Sequence, residues 1–206
     1  MQQNNARGFT IPEVIITLGI AAILLTTVVP SVNDTIEENR LATQVNDVIA
    51  DIHFARSEAA KRNVRVILCK STQPNAGSPR CSTDLQTAHT WSSGYLIFAD
   101  NGNATNSTYD AGSDILLRRG QPAPDGVRMY TSSAWTKNLE FNPNGSTNEG
   151  GATAKMSICN SRERVQCRQV FVAPNGIPKA YGNDVTNSLA TTAQLSAPAS
   201  RQWNAR

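Results

Sequence analysis

The residue in the most unusual setting for chemistry is Glu13, a carboxylate inside an apolar run. The run extends from Phe9 to Val29 and otherwise contains only threonines as clearly polar residues. A carboxylate within a membrane segment costs on the order of several kcal/mol and marks a functional site by default. No Lys or Arg lies in the run to pair with it. Glu13 is therefore the first candidate functional residue.

A partner for Glu13 would appear if the chain were cut after Gly8. The new α-amino group of Phe9 would then lie about one helical turn away in the same chain, or would approach Glu13 from a neighbouring chain. The alternative is that Glu13 only reaches the membrane interface with its side chain.

Four cysteines form the second candidate cluster: Cys69, Cys81, Cys159 and Cys167. They form no CxxC pair and the chain has only two histidines, which argues against zinc. An even number of well-separated cysteines in an exported domain indicates disulfides. Four cysteines allow three pairings. Cys69–Cys81 and Cys159–Cys167 are favoured because each closes a short polar loop between two apolar runs; four buried thiols are the alternative.

The remaining polar residues predict no catalytic or metal site. His53 falls on a helical segment and His89 in a polar loop, and neither has a nucleophile or a metal ligand at a recognisable spacing. Residues 100–114 are rich in oxygen ligands, but they lack the glycine and glutamate of a calcium loop, with Thr105 and Ala111 at those positions. We expect no enzyme activity and no cofactor.

The apolar run is about 21 residues long, enough to cross a bilayer as a helix. Residues 1–8 are polar with one positive charge, Arg7, and no small-residue cleavage site follows the run. These features predict a retained membrane helix with a cytoplasmic N-terminus and the polar remainder outside. The 206 residues suffice for one core domain, and a net charge of +3 is too small to indicate nucleic-acid binding by itself.

The outer half of the helix is predicted from apolar residues at helical spacing, namely Leu41, Val45, Val48, Ile49 and Ile52. The helix should end near Arg62, and Pro30 should kink or loosen it. A group of charged side chains near its end is predicted to form a solvated face: Arg56, Glu58, Lys61 and Arg62.

Short strand-like runs follow the helix, at residues 64–70, 94–99, 114–119, 127–130, 138–141, 155–160 and 167–173. Turn-rich stretches such as Asn142–Gly145 and Pro174–Gly176 separate them. The predicted fold is α+β, with a long N-terminal helix packed on an antiparallel β-sheet or small β-sandwich head. Residues 183–206 are predicted to be a polar tail.

The N-terminal string GFTIPEVIITLGIAAILL, residues 8–25, resembles the signal of type IV prepilins and type II secretion pseudopilins. The resemblance implies that a prepilin peptidase cuts between Gly8 and Phe9 and methylates Phe9. It also implies that Glu13 sets the register of each subunit in a filament. Pro12 stands where that family most often has an aliphatic residue, but proline is tolerated in a first helical turn.

The head resembles the FimT/FimU/GspH branch of minor pilins. The similar segments are residues 55–69 (ARSEAAKRNVRVILC), Trp91 and residues 94–102 (GYLIFADNG). This resemblance implies a pilin fold in the bacterial inner membrane, with the head in the periplasm and with other minor and major pilins or pseudopilins as partners. The implied parts are a leader (1–8), a transmembrane helix (9–30), an amphipathic stem helix (31–62), a head (63–182) and a tail (183–206).

Some FimT-like pilins bind DNA through a Gly-Arg-x-Arg motif, and the matching position here is Gly176–Lys179. Ile177 and Lys179 replace the two arginines, which removes bidentate phosphate donors. Other candidate phosphate contacts surround the second cysteine pair: Arg162, Arg164 and Arg168. The alternative is that all of these are solvated charges.

Three functions follow from these features. The first is a minor type IV pilin that joins a tip or initiation complex and supports pilus assembly. The second is a type II secretion pseudopilin, although the paired cysteines favour the pilus branch. The third is a pilin that binds DNA during uptake.

Overall fold

The structure is a computed structural model that describes residues 9–82, 90–102, 107–132, 135, 138–148, 151–160 and 166–182. The predicted leader, Gly8, Arg162, Arg164 and the predicted tail lie outside the described residues. The chain divides into two compact units, residues 1–39 and 40–206.

Helix α1, Ile11–Arg62, runs through both units, and its backbone stays helical across Pro30. Lys61 and Arg62 in the last turn complement the helix dipole. Asn63 follows with a positive φ of 53°, the left-handed conformation that commonly ends a helix. The predicted end of the helix is confirmed.

Within the residues that the structure describes, no helix combines the length and the apolar character that a membrane crossing requires.

The head contains eight strands: β1 Val66–Lys70, β2 Tyr95–Ala99, β3 Ile115–Gly120, β4 Val127–Thr131, β5 Asn138–Phe141, β6 Ala154–Asn160, β7 Cys167–Val172 and β8 Pro178–Tyr181. They form two antiparallel sheets of four strands, ordered β3-β2-β1-β5 and β4-β6-β7-β8. All seven predicted strands are present. The eighth, β8, was not predicted because it is only four residues long and begins with proline, a residue confined to strand starts and edges.

The core forms where the outer half of α1 meets both sheets. One stripe of the helix is buried, with a spacing of three and four residues: Leu41, Val45, Val48, Ile52, Ala55 and Ala59. It shares a single cluster with inward-facing residues of both sheets, such as Leu68 and Met156. The α+β prediction, with a helix packed on antiparallel sheets, is confirmed.

The prediction of a solvated face near the end of α1 is wrong for two of its four residues. Glu58 is buried, and its carboxylate accepts a hydrogen bond from Arg62 Nε at 2.6 Å. That hydrogen bond lowers the pKa of Glu58. Arg56 is half-buried and bonds to a turn of the head. The pattern failed here because long charged side chains cover apolar surface with their stems.

Candidate functional site

The start of α1 turns the Glu13 carboxylate back towards Thr10. Thr10 is the N-cap residue, and Glu13 occupies the third helical position, so the two have the spacing of a capping box. Glu13 Oε2 accepts a long hydrogen bond of 3.5 Å from the Thr10 N–H. The carboxylate therefore points back towards the first described residue of the chain. The T-x-x-E pattern is visible in the sequence and could have predicted this geometry.

The helix surface around this carboxylate is apolar and exposed. Phe9 is 82% exposed. Every other large apolar side chain from residue 11 to residue 25 is also exposed: Ile11, Val14, Ile15, Ile16, Leu18, Ile20, Ile23, Leu24 and Leu25. An apolar surface of this extent needs a lipid or protein environment.

The structure pairs Cys69 with Cys81 and Cys159 with Cys167, the pairing that the short loops favoured. The first disulfide holds a loop over the outer face of the first sheet. Cys81, at the end of that loop, packs against a second small core that includes Ile67. The second disulfide joins partners that face each other directly across β6 and β7. Both disulfides therefore fasten the head.

The structure describes two of the four residues that were predicted to contact DNA. Lys179 is exposed on β8, opposite Phe171. Arg168 is half-buried on β7, opposite Ile158 of the core. Arg162 and Arg164 lie outside the described residues. The DNA-binding hypothesis stays a prediction.

Gly176 has a packing role that needs no ligand. It has a positive φ of 76°, and a Cβ added to it would lie 2.1 Å from the carbonyl oxygen of Gly145. Only glycine permits this approach between backbones. The glycine shared with the Gly-Arg-x-Arg motif is therefore explained by the fold.

Two turns of the same construction meet at this glycine. The 142–146 turn follows the first sheet's β5 and the 173–177 turn joins β7 to β8 of the second sheet, and both contain the letters PNG. In each turn the glycine N–H donates to the carbonyl three residues earlier at 2.8 Å. Arg56 Nε donates to Gly145 O at 3.1 Å and also borders Gly176. Arg56 thus bonds the stem helix to the turn after β5 and lies beside the turn between β7 and β8.

A buried polar network ties the same helix to the first sheet. Asp51 accepts a hydrogen bond of 2.6 Å from the Tyr95 hydroxyl and one of 2.5 Å from Arg118. Burial, followed by the negative charge of Asp51, raises the pKa of Tyr95 well above its usual value. Arg118 also lies over the Phe54 ring, 4.1 Å from its centroid.

A second buried network centres on Arg65, which bonds to Asp100 and to Glu140. Burial alone would lower the pKa of Arg65, but the hydrogen bonds and charges of the two carboxylates outweigh it and raise that pKa. Both networks have the character of structural ties. Among the described residues, no group of three or more His, Cys, Asp or Glu side chains could hold a metal ion.

Comparison with known proteins decides the family. A model of the prokaryotic N-terminal methylation motif matches residues 3–29. The model of the type II transport protein GspH matches residues 44–176, well over half of the chain. The chain belongs to the GspH family. Comparison with curated proteins found no match.

The fold of this GspH-family chain is also that of a minor pilin. The type IV minor pilin FimU of Pseudomonas aeruginosa superposes with a TM-score of 0.52 at 17% identity, over 72% of this chain and 93% of FimU. A second crystal form of FimU gives a TM-score of 0.47 at 15% identity, over 70% and 94% of the two chains. At these identities the likeness shows the fold alone. The resemblance to type IV minor pilins and pseudopilins is confirmed.

Sequence reasoning missed two residues that shape the surface of this GspH-family head, Arg56 and Arg118. Both line an open groove beside α1. Their partners are 89 and 67 positions away in the chain, so no local pattern signals them.

Proposed function

We propose that the chain is a minor type IV pilin that joins a tip or initiation complex and supports pilus assembly without catalysing a reaction. The observation that carries this proposal is the methylation motif over residues 3–29, which includes Glu13 at the start of an exposed apolar helix. An anchored helix with one carboxylate near its start suits side-by-side packing with other such helices. The amine created at Phe9 would pair with that carboxylate.

The proposal includes a processing step and a location. A prepilin peptidase would cut between Gly8 and Phe9 and methylate Phe9 at the inner membrane. The apolar run of residues 9–30 would hold the chain in that membrane, with the head in the periplasm. Two disulfides in the head agree with an oxidising compartment. Other minor and major pilins are the proposed partners.

Deletion and complementation test this proposal. Cells lacking the gene should lose most surface pili, and the wild-type gene should restore them. Mass spectrometry of the complementing protein should find N-methylphenylalanine at residue 9. Normal piliation in the deletion strain, or a chain that still carries residues 1–8, would contradict the proposal.

A pseudopilin of type II secretion is the second candidate, and the match to the GspH model favours it. The same deletion strain separates the two functions. Loss of pili with normal protein secretion supports the pilus role. Loss of secretion with normal pili supports the pseudopilin role.

A further inference from the structure

Three asparagines of the chain are each followed by glycine: Asn101, Asn144 and Asn175. Asparagine before glycine is chemically labile, because glycine has no side chain to hinder its own backbone nitrogen as that nitrogen approaches the asparagine amide. All three asparagines are exposed. Exposure of the asparagine therefore does not distinguish the three pairs, and the surroundings of the following glycine do.

The two PNG turns hold the nitrogen of their glycine in place. The N–H of Gly145 donates to the carbonyl of Asn142, and the N–H of Gly176 donates to the carbonyl of Ala173, both at 2.8 Å. Both glycines are buried, so water has little access to either nitrogen. Each nitrogen would have to give up its hydrogen bond before it could react, and this adds to the barrier.

The asparagine side chains of these turns are bonded as well. Asn144 Oδ1 accepts hydrogen bonds from the Ser146 N–H at 2.9 Å and from the Ser146 hydroxyl at 2.7 Å. Asn175 Oδ1 accepts one from the Ile177 N–H at 3.2 Å. These bonds fix the orientation of both amides. The turns therefore protect their asparagines at both reacting groups.

The pair formed by Asn101 and Gly102 lies just after β2 and lacks these restraints. Both residues are exposed. Among the residues that the structure describes, none accepts a hydrogen bond from the Gly102 N–H and none binds the Asn101 side chain. The main-chain N–H of Asn101 donates to Asp114 Oδ1 at 3.3 Å, which leaves its side-chain amide able to turn. The Asn101 amide and the Gly102 nitrogen can therefore approach each other.

We propose that Asn101 is a self-modification site, at which the chain converts its own asparagine into aspartate and isoaspartate. The Gly102 nitrogen loses its proton to water and attacks Cγ of Asn101. A C–N bond forms, the bond from Cγ to the amide nitrogen breaks, and that nitrogen takes up a proton and leaves as ammonia. Water then opens the resulting succinimide ring. Opening at Cγ gives aspartate, and opening at the main-chain carbonyl carbon gives isoaspartate. Water is the co-reactant, and nothing is oxidised or reduced.

The products change both the charge and the main chain at the end of β2. Each carries a carboxylate next to Asp100 and near Asp114, where the unmodified chain has a neutral amide. Asp100 is buried and bonded to Arg65, which also bonds to Glu140 of β5. Isoaspartate additionally lengthens the main chain beside this network by one methylene. Heads of different age would therefore differ in charge, whether or not the chain acts in a pilus.

Peptide mapping of the full chain, purified in detergent, tests the proposal. One sample is incubated folded, and a second is incubated unfolded in guanidinium chloride at the same mildly alkaline pH. Mass spectrometry follows the conversion of each asparagine, and an isoaspartyl methyltransferase labels isoaspartate. In the folded chain, Asn101 should convert at least about tenfold faster than Asn144 and Asn175, because hydrogen bonds protect the latter two. In the unfolded chain the three rates should be similar.

A folded chain in which Asn101 converts no faster than Asn144 or Asn175 would overturn the proposal. So would a folded chain in which Asn101 is stable while it converts readily in the unfolded sample. Both results are read from the same peptides, so neither depends on a substitution.

Substitutions at the site establish the chemistry. Gly102→Ala places a methyl group beside the attacking nitrogen and should cause loss of the isoaspartate product. Asn101→Gln requires a larger ring and should remove the acidic form of the folded chain in isoelectric focusing. Asn144→Gln makes the same change in a PNG turn and should leave that acidic form unchanged. An acidic form that persists in Asn101→Gln would overturn the assignment of the site.

Discussion

At the scale of single residues, glycines show most directly what the fold demands. Gly176 and Gly151 both have positive φ, but only Gly176 is crowded, by Gly145 and Arg56. Gly182 has neither constraint. The same substitution at these three positions therefore separates backbone strain from steric contact.

We expect Gly176→Ala to lower the free energy of unfolding of residues 40–206 by more than about 2 kcal/mol, from left-handed strain and displacement of the neighbouring turn. Gly151→Ala should cost about 1 kcal/mol from strain alone. Gly182→Ala should be close to neutral. Urea unfolding measures all three. The packing role would be wrong if Gly176→Ala were no worse than Gly151→Ala.

The raised pKa of Tyr95 predicts how the free energy of unfolding changes at alkaline pH. Its pKa in the folded head is raised, so the folded state keeps the hydroxyl proton at pH values where the unfolded state has begun to lose it. This contribution to stability is complete below about pH 10, the ordinary tyrosine pKa, and is lost as the pH rises above it. Wild-type protein should therefore lose more stability between pH 8 and pH 10.5 than Tyr95→Phe does.

The comparison uses the change with pH, because Tyr95→Phe also removes the hydrogen bond to Asp51 and lowers stability at every pH. Thermal unfolding of both proteins at the two pH values is sufficient. Parallel losses in the two proteins would show that Tyr95 does not carry the alkaline dependence.

At the scale of elements, the disulfide between Cys159 and Cys167 should stabilise the pairing of strands β6 and β7. Replacing Cys159 and Cys167 together by serine should lower the free energy of unfolding by about 2–5 kcal/mol. The bond joins directly opposed residues of two central strands. Denaturant unfolding of the oxidised variant, in which Cys69–Cys81 remains, measures this contribution. A change below about 0.5 kcal/mol would contradict it.

The sequence predicted the elements far better than their contacts. The regular spacing of Leu41 to Ile52 and the turn residues of the head were sufficient for α1 and seven strands, because these signals are local. The contact between the two PNG turns joins segments about 30 residues apart, and a local pattern does not report such pairs. Arg56 was predicted to be solvated for the same reason.

The candidate functional residues also fall into a group that local sequence signals predicted and a group that they did not. Phe9 and Glu13 were predicted because the apolar run makes one carboxylate stand out. The groove was not, because it requires α1, β3 and the 142–146 turn to meet. Sequence patterns therefore singled out the start of α1 as a candidate site and missed the groove on the head.

At the scale of the whole molecule, the two compact units have different surfaces, which suggests that they have different functions. The first unit exposes an apolar helix with acidic residues, and the second contains the buried core and a net positive charge. A subunit of this kind would pack its helix among other helices and present its head outside. Assembly into filaments should then depend on Glu13. Cleavage of the chain after Gly8 should not depend on Glu13.

The most direct test of the pilin assignment is the amount of this chain in sheared surface filaments, compared between wild type and Glu13→Ala at matched expression. We expect wild-type chain in the filaments, and a Glu13→Ala chain that is cut before Phe9 but largely absent from them. A Glu13→Gln variant separates loss of charge from loss of the side chain and should behave like Glu13→Ala. Equal amounts of wild type and Glu13→Ala in the filaments would contradict the account.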